Sequence, residues 1–172
     1  MLPHLDAAYR FARWLCRSPS DADDIVQEAF LRAFRAFDSL RGGDVKAWLF
    51  TIVRNCHATA RQQEQRRATL PLPEDHEAQM RAAGAVDDAS PDPANVSAAD
   101  EERGTLARLI AALPDEHRQV LLLREMEDMS YREIAAVTQV PMGTVMSRLA
   151  RARAALRGHW LKETGGVPRA VR

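Results

Sequence analysis

The stretch SYREIAAVTQVPMGTVMSRLARARAALR, residues 130–157, carries the clearest structural pattern in this sequence of 172 residues. It opens on a Ser, a residue type that favours helix N-caps, and its apolar residues recur at helical spacing as far as Thr138. The segment QVPMG, residues 139–143, interrupts this pattern with a Pro and a Gly, and Thr144 then leads a second helix to about Arg157. A short helix, a tight break and a longer basic helix predict a helix-turn-helix.

The longer helix of this motif has one apolar side and one polar side. Spacings of four, three and four place on the apolar side Val145, Leu149, Ala152 and Leu156. The polar side carries Thr144, Ser147, Arg148 and Arg151. A helix that reads DNA needs this division, because one face packs on its own domain while the other offers hydroxyls and guanidiniums to bases and phosphates. A corner of an ordinary helical bundle with a solvated basic face would show the same pattern.

Upstream of this motif, residues 1–67 predict a small bundle of three helices. The first helix runs from Leu5 to about Cys16, and Ser20 is the predicted N-cap of the second. The apolar stripe of the second helix consists of Ile25, Val26, Ala29, Phe30, Ala33, Phe34 and Phe37. Asp44 is the predicted cap of the third helix, which ends in a basic stretch. The stripe of this third helix consists of Val45, Trp48, Leu49, Ile52, Val53 and Cys56.

Charge divides the chain into three parts, although the formal net charge is zero. Residues 1–67 carry a net charge of +3, residues 68–104 carry −7 and residues 105–172 carry +4. The acidic part is rich in Pro and Ala and poor in large apolar residues, so it cannot build a core. We therefore predict a flexible acidic linker over residues 68–100, within which residues 74–83 can form a transient helix.

The second block, residues 101–160, predicts four helices that include the helix-turn-helix. The apolar residues of its first helix are Leu106, Leu109, Ile110 and Leu113. Pro114 stops this helix and opens the next one at its first turn, whose apolar segment is formed by Val120 to Leu123 with Met126. Residues 161–172 predict a frayed tail. The expected fold is all-α, with two small helical domains joined by the flexible acidic linker.

Composition and spacing exclude several classes of protein. No apolar run approaches the roughly 18 residues of a membrane helix, and the first residues show no secretory signal. We therefore expect a cytoplasmic protein without membrane insertion. Cys16 and Cys56 have no His at metal-ligand spacing, which predicts no metal site. Because no catalytic set and no phosphate-cradling glycine loop is visible, we expect neither an enzyme nor a cofactor.

Both blocks resemble one family, the extracytoplasmic-function (ECF) sigma factors, which are small promoter-recognition subunits of bacterial RNA polymerase. The runs similar to its region four are LPDEHRQVLLLR at 113–124, MSYREIA at 129–135 and GTVMSRLARAR at 143–153. In the first block, DADDIVQEAF at 21–30 resembles region 2.2, and AWLFTIVRN at 47–55 resembles regions 2.3 and 2.4. The matches follow the order of the family and cover about residues 5–66 and 101–158.

Two positions depart from the family pattern. Gln139 stands where Gly is frequent, at a turn position that favours a left-handed residue, which costs Gln roughly 1–2 kcal/mol. Met146 replaces a common Lys and so removes one possible phosphate contact.

The resemblance implies a sigma factor that binds core RNA polymerase and directs promoter-specific transcription initiation. The residues expected to dock the clamp helices of the largest polymerase subunit are Asp21, Asp24, Gln27 and Glu28. Helix-dipole capping and solvation are the alternative roles for these acids. An anti-sigma factor is a further expected partner, although no residue identifies it.

The resemblance also implies contacts with two elements of promoter DNA. The loop 37–44 and the third helix should meet the melted minus-ten element, with phosphates followed by Arg54, Asn55, His57, Arg61, Arg66 and Arg67. Trp48 and Phe50 suggest base stacking, although core packing is the favoured role for Trp48. Region four should read the minus-thirty-five element as duplex through Arg132, Thr144, Ser147, Arg148 and Arg151. Of these Arg148 is the main candidate for a base contact, while Arg151, Arg153 and Arg157 are candidates for phosphate contacts.

Two other functions would also place a basic helix on the surface. The first is a free-standing helix-turn-helix regulator that binds duplex DNA as a dimer, which would not need the acidic run 21–30 and the helix that follows it. The second is an interaction module whose basic helix holds a protein partner. Salt-dependent affinity for DNA would count against the interaction module.

Overall fold

The computed structural model describes residues 2–16, 18–37, 44–69 and 98–164. Over these ranges the chain forms a 3-10 turn at Leu2–His4 and seven α-helices, and it has no strand. The all-α fold expected from the sequence is therefore confirmed. Residues 38–43, residues 70–97 of the predicted linker with its transient helix, and residues 165–172 of the predicted tail lie outside the described residues.

The chain divides into two compact units, Met1–Ala89 and Ser90–Arg172. The helices of the first unit are α1 (Leu5–Leu15), α2 (Pro19–Ala36) and α3 (Val45–Thr69). Those of the second unit are α4 (Ala98–Ala111), α5 (Asp115–Glu125), α6 (Tyr131–Thr138) and α7 (Met142–Thr164). Within the described residues no helix combines the length and the apolar character needed to cross a membrane.

In the first unit all three helices pack against one another. Phe11 of α1 and Phe50 of α3 are fully buried, and their ring centroids lie 5.1 Å apart at an interplanar angle of 41°. Helix α2 faces these rings with small and β-branched side chains, namely Ala22, Ile25, Val26, Ala29 and Ala33. Because alanines allow helices to approach closely, this core needs only a few large residues.

The start of α2 differs from the sequence prediction. Ser18, and not Ser20, is the N-cap, with its Oγ accepting a hydrogen bond of 3.1 Å from the backbone N–H of Asp21. Pro19 occupies the first helical position, where its missing N–H costs nothing and its fixed φ fits the helix. Since Pro19 is already helical, Ser20 lies inside the first turn and cannot be the cap. Asp44 does cap α3, because its Oδ1 accepts a 2.8 Å hydrogen bond from the N–H of Lys46.

The predicted apolar stripe of α2 is too wide. Phe34 is 77% exposed and Phe37 is 45% exposed, so neither belongs to the core. The buried arc is centred on the alanines, and Phe34 lies about 100° round the helix from Ala33. The large aromatic side chains suggested burial, but the helical phase of the small residues determines which side faces the core.

In the second unit α7 packs against each of α4, α5 and α6. Its buried residues Val145, Leu149 and Ala152 meet a core in which the consecutive residues Val120 to Leu123 of α5 are all buried. Helix α7 begins before Thr144 and continues past Arg157 to Thr164, so the predicted last helix is too short at both ends. Leu106 and Met126 were expected in apolar segments, yet they are 42% and 39% exposed.

The junction between α4 and α5 is closed by a buried arginine. Pro114 is the N-cap of α5 and not its first helical residue, and its carbonyl accepts hydrogen bonds from the N–H groups of His117 and Arg118. The guanidinium of Arg118 donates at 2.9 Å to the carbonyl of Ala111 and forms an ion pair with Asp115. A side chain that is only 8% exposed thus ties the end of one helix to the start of the next.

Candidate nucleic-acid interface and acidic face

The turn between α6 and α7 forms the helix-turn-helix predicted from the sequence. Ser130 caps α6 in a capping box, in which its Oγ accepts from the N–H of Glu133 while Glu133 Oε2 accepts from the N–H of Ser130. Gln139 ends α6 in the left-handed conformation, with φ 56° and ψ 38°. The left-handed residue expected at this position is therefore confirmed. The carbonyl of Pro141 then accepts from the N–H groups of Thr144 and Val145, which starts α7.

The first two turns of α7 present a polar surface opposite their buried side. Ser147 is exposed, and its Oγ donates a 3.0 Å hydrogen bond to the carbonyl of Thr144 one turn earlier. Arg151 is exposed one turn further along the same side, and Arg132 is exposed in the first turn of α6. The first turn of α7 contains no acidic residue. This surface combines hydroxyl donors and guanidiniums at the positive end of a helix dipole, which suits the edge of duplex DNA.

Arg148 is held by another helix of the same unit. Its Nη2 lies 2.5 Å from Oε2 of Glu116 in α5, and its side chain is only 19% exposed. Glu116 is itself 67% exposed, so water screens the pair and the guanidinium can exchange partners. A base contact by Arg148 would require it to leave or share this carboxylate.

Arg153 also has a partner within its own unit, at the end of α5. Its Nη2 and Nε lie 2.6 Å and 3.1 Å from Oε1 of Glu125. The hydrogen bond to Glu125 raises the pKa of Arg153, which keeps the guanidinium charged. About half of its side chain is exposed, so a phosphate can approach from the open side.

In the first unit, α3 carries the residues expected to follow single-stranded DNA. Arg54 and Arg61 lie seven residues apart on one side of the helix, both partly buried, and Asn55 is exposed. His57 is 4% exposed and lies in the core beside the buried stripe. The expected phosphate contact of His57 is therefore wrong in this structure, because a phosphate cannot reach a side chain inside the bundle.

The two aromatic residues proposed for base stacking differ in burial. Phe50 is fully buried against Phe11, which excludes it from stacking on a base. Trp48 is only partly buried and does not belong to the buried core. It lies seven residues before Asn55, on the same side of α3. The favoured core role of Trp48 therefore holds only in part.

The four polymerase candidates share one exposed face of α2. Asp21, Asp24, Gln27 and Glu28 are all exposed, and Glu28 Oε1 also lies 2.6 Å from Nε of Arg32. Towards the end of the helix the same face continues with Leu31 and Phe34, which are 47% and 77% exposed. Sequence reasoning missed both as surface residues, although their offset from the alanine arc was visible in the spacing.

No group of three or more His, Cys, Asp or Glu side chains in the described ranges could hold a metal ion. Cys56 is buried, and burial is the main cause that raises the pKa of its thiol, against the opposing charge of Arg32. A buried protonated thiol is a poor nucleophile.

Two family models match this chain. The model described as Sigma-70 region 2 matches residues 2–67, which cover the first helical unit, and the model described as Sigma-70, region 4 matches residues 103–156. The chain is 38% identical over 141 residues to the ECF RNA polymerase sigma-E factor of Escherichia coli K12, covering 79% of this chain and 72% of that protein. It is 32% identical over 161 residues to the ECF RNA polymerase sigma factor SigE of Mycolicibacterium smegmatis, covering 94% and 60%.

Solved structures give the same grouping. The sigma factor RpoE of Bartonella quintana, solved in complex with the anti-sigma factor NepR, matches with a TM-score of 0.71 and 28% identity over 95% of this chain and 94% of that one. CnrH, solved in complex with the cytosolic domain of CnrY, matches with a TM-score of 0.63 and 25% identity over 95% and 85%.

Proposed function

This chain belongs to the extracytoplasmic-function sigma factors of bacterial RNA polymerase, and we propose that its two helical units divide polymerase binding and promoter reading between them. As a sigma factor it binds core RNA polymerase and directs transcription initiation from specific promoters. A free-standing helix-turn-helix regulator would leave the match over residues 2–67 without a purpose.

The second unit reads the minus-thirty-five element as duplex DNA. The observation that carries this assignment is α7 itself, where Val145, Leu149 and Ala152 are buried while Ser147 and Arg151 are exposed on the opposite side. Thr144 and Arg148 flank that side, and Arg132 extends it from α6. Arg153 contributes a phosphate contact beside its pair with Glu125.

The first unit binds the polymerase through one face of α2 and the minus-ten strand through α3. The exposed acids of α2 meet the clamp helices of the largest subunit by charge, and the adjoining Leu31 and Phe34 bury apolar surface against it. Arg54, Asn55 and Arg61 follow the phosphates of the melted strand, with partly buried Trp48 on the side of Asn55.

An anti-sigma factor and a cytoplasmic site of action complete the proposal. The sigma factor RpoE of Bartonella quintana, which shares this fold, has been solved with an anti-sigma factor, and a partner of that class would compete for the same exposed faces. The chain itself has no enzymatic role, because it lends sequence specificity to a polymerase whose chemistry belongs to other subunits.

Transcription in vitro tests the proposal directly. Purified chain and bacterial core polymerase are incubated with fragmented genomic DNA, and the RNA start sites are mapped. We expect new starts that share two spaced upstream elements. An active core polymerase and a folded chain that produce no new starts would contradict the proposal.

A further inference from the structure

Two exposed methionines lie beside the predicted DNA-reading surface of α7. Met142 is 52% exposed and Met146 is 47% exposed. They are four residues apart, so their side chains lie on the same side of the helix, one turn above the other. Met146 directly precedes Ser147, and Met142 directly follows the turn that starts the helix. The pair thus forms an apolar ridge along the edge of the polar surface.

This ridge is not needed by the packing of its own unit. The buried side of α7 is already provided by Val145, Leu149 and Ala152, each at most 2% exposed. Between the two methionines, a β-carbon added at Gly143 would meet no atom within 4 Å. There is thus open space beside Gly143, and the side chains of Met142 and Met146 are largely uncovered in the free chain.

The charges of the helix-turn-helix indicate what kind of partner contacts the ridge. The first turn of α7 has no acidic residue, and Arg151 of α7 and Arg132 of α6 are exposed on the same helix-turn-helix, so this motif is suited to a negatively charged partner. Inside the major groove of DNA, the apolar group that an inserted helix can reach is the C5-methyl of thymine. A thioether side chain is long and adaptable, and so it can cover a methyl group without a fixed geometry.

We propose that Met146, supported by Met142, reads a thymine methyl group in the minus-thirty-five element and so sets the base preference at one position. This inference rests on the proposed reading of duplex DNA by α7. It gives Met146 a positive role in specificity, where its departure from the usual Lys otherwise means only a lost phosphate contact.

Deoxyuridine substitution provides the test, because it removes the methyl group of thymine and leaves its hydrogen-bonding edge unchanged. Each thymine of the mapped minus-thirty-five element, on either strand, is replaced singly, and promoter binding by the complete holoenzyme is measured. We expect one such replacement to weaken binding by about three- to fivefold, the effect of one buried methyl group. In Met146→Ala the same replacement should have no further effect.

Two controls make the outcome specific. Leu161 is an exposed apolar residue of the same helix, 42% exposed and about 22 Å further along its axis, so Leu161→Ala should keep the full methyl dependence. Met142→Ala should weaken the methyl effect in part. The free energy of unfolding of each variant is measured in parallel, and little change is expected because the replaced side chains are exposed.

Several results would overturn the inference. A minus-thirty-five element with only G·C pairs would do so. So would wild-type binding that no deoxyuridine replacement weakens, or a methyl effect that persists in Met146→Ala. Met146→Ala that weakens binding equally with thymine and deoxyuridine would point to a protein contact at the ridge instead. If scrambling the minus-thirty-five element had no effect at all, the proposed function of the second unit would fail together with the inference.

Discussion

Arg148, the residue proposed to contact a base, has an ion-pair partner in the free chain. Its ion pair with Glu116 holds the guanidinium close to α5 and leaves 19% of the side chain exposed. An ion pair with such an exposed carboxylate contributes about 0–1 kcal/mol, whereas a good bidentate base contact discriminates by about 1–3 kcal/mol. These magnitudes favour exchange of Glu116 for a base when duplex DNA is bound.

We expect Arg148→Ala to lower minus-thirty-five-dependent initiation about tenfold while leaving affinity for core polymerase unchanged, because roughly 1.4 kcal/mol of base contact is lost. The matched control is Glu116→Ala, which removes the same ion pair without removing the guanidinium. Its effect should stay within about twofold. Transcription from promoters with intact and scrambled minus-thirty-five elements measures both.

Two results would contradict this role for Arg148. An equal loss of polymerase binding and of minus-thirty-five dependence would refute the DNA contact. A loss in Glu116→Ala as large as that in Arg148→Ala would mean that the arginine acts only by holding α7 against α5.

At the scale of single elements, the start of α2 separates two serines that the sequence makes nearly equivalent. We expect Ser18→Ala to lower the free energy of unfolding by about 1 kcal/mol, because the N–H of Asp21 loses its acceptor. Ser20→Ala should change it by less than about 0.5 kcal/mol. Urea denaturation followed by tryptophan fluorescence measures both variants. The reverse order would restore Ser20 as the cap.

The turn between α6 and α7 carries a residue in a conformation that L side chains disfavour. Gln139 has φ 56°, so Gln139→Gly should stabilise the helix-turn-helix by about 0.5–1 kcal/mol. Glycine relieves the backbone strain at this position, and this gain exceeds the cost of the greater conformational freedom that glycine gives the unfolded chain. As a control, Ala136→Gly in the exposed interior of α6 should destabilise it by about 1 kcal/mol. Hydrogen exchange of the α6 amides reports both changes. Destabilisation by Gln139→Gly would show that the glutamine side chain contributes to the turn.

At the scale of the whole molecule, zero net charge conceals a chain whose two helical blocks are basic and whose middle is acidic. The exposed acidic residues of α2 form an acidic face within a block whose net charge is positive. They adjoin the exposed Leu31 and Phe34, and so combine a charged half with an apolar half along one helix. In the proposed interface with core polymerase, charge would orient the partner and apolar burial would add affinity.

We expect the double variant Asp24→Lys with Glu28→Lys to lower affinity for core polymerase at least tenfold without unfolding the chain, because charge attraction becomes repulsion. Phe34→Ala should also weaken binding, because it removes apolar surface that would be buried against the polymerase. The fold should tolerate the change, since the side chain is 77% exposed in the free chain. Asp6→Lys reverses one charge on the exposed surface of α1 and is the control for each of the single variants Asp24→Lys and Glu28→Lys, which are measured beside the double variant. Titration of labelled chain with core polymerase measures all of these variants.

The melting temperature of each variant is recorded, because Glu28→Lys also breaks the 2.6 Å pair with Arg32. Unchanged affinity in the double variant would remove Asp24 and Glu28 from the interface. Wild-type binding by Phe34→Ala would limit the interface to the acidic half of α2.

The all-α fold, the two helical blocks and the helix-turn-helix could be predicted from the sequence, because apolar periodicity, caps and prolines act over a few residues. The resemblance to the family, in which Gly is frequent at this position, correctly predicted the left-handed conformation of Gln139. Which of the periodic residues are buried depends on how the helices pack, and this could not be predicted from the sequence. Residue type suggested that Phe34 lies in the core and His57 on the surface, and packing reversed both. On α2 the core side is the arc of close-packed alanines, which leaves Phe34 outside it, and on α3 His57 lies beside the buried Cys56 and Val53. Long-range partners were equally invisible in the sequence: Glu116 lies 32 residues from Arg148, and only the packing of α5 against α7 brings them together.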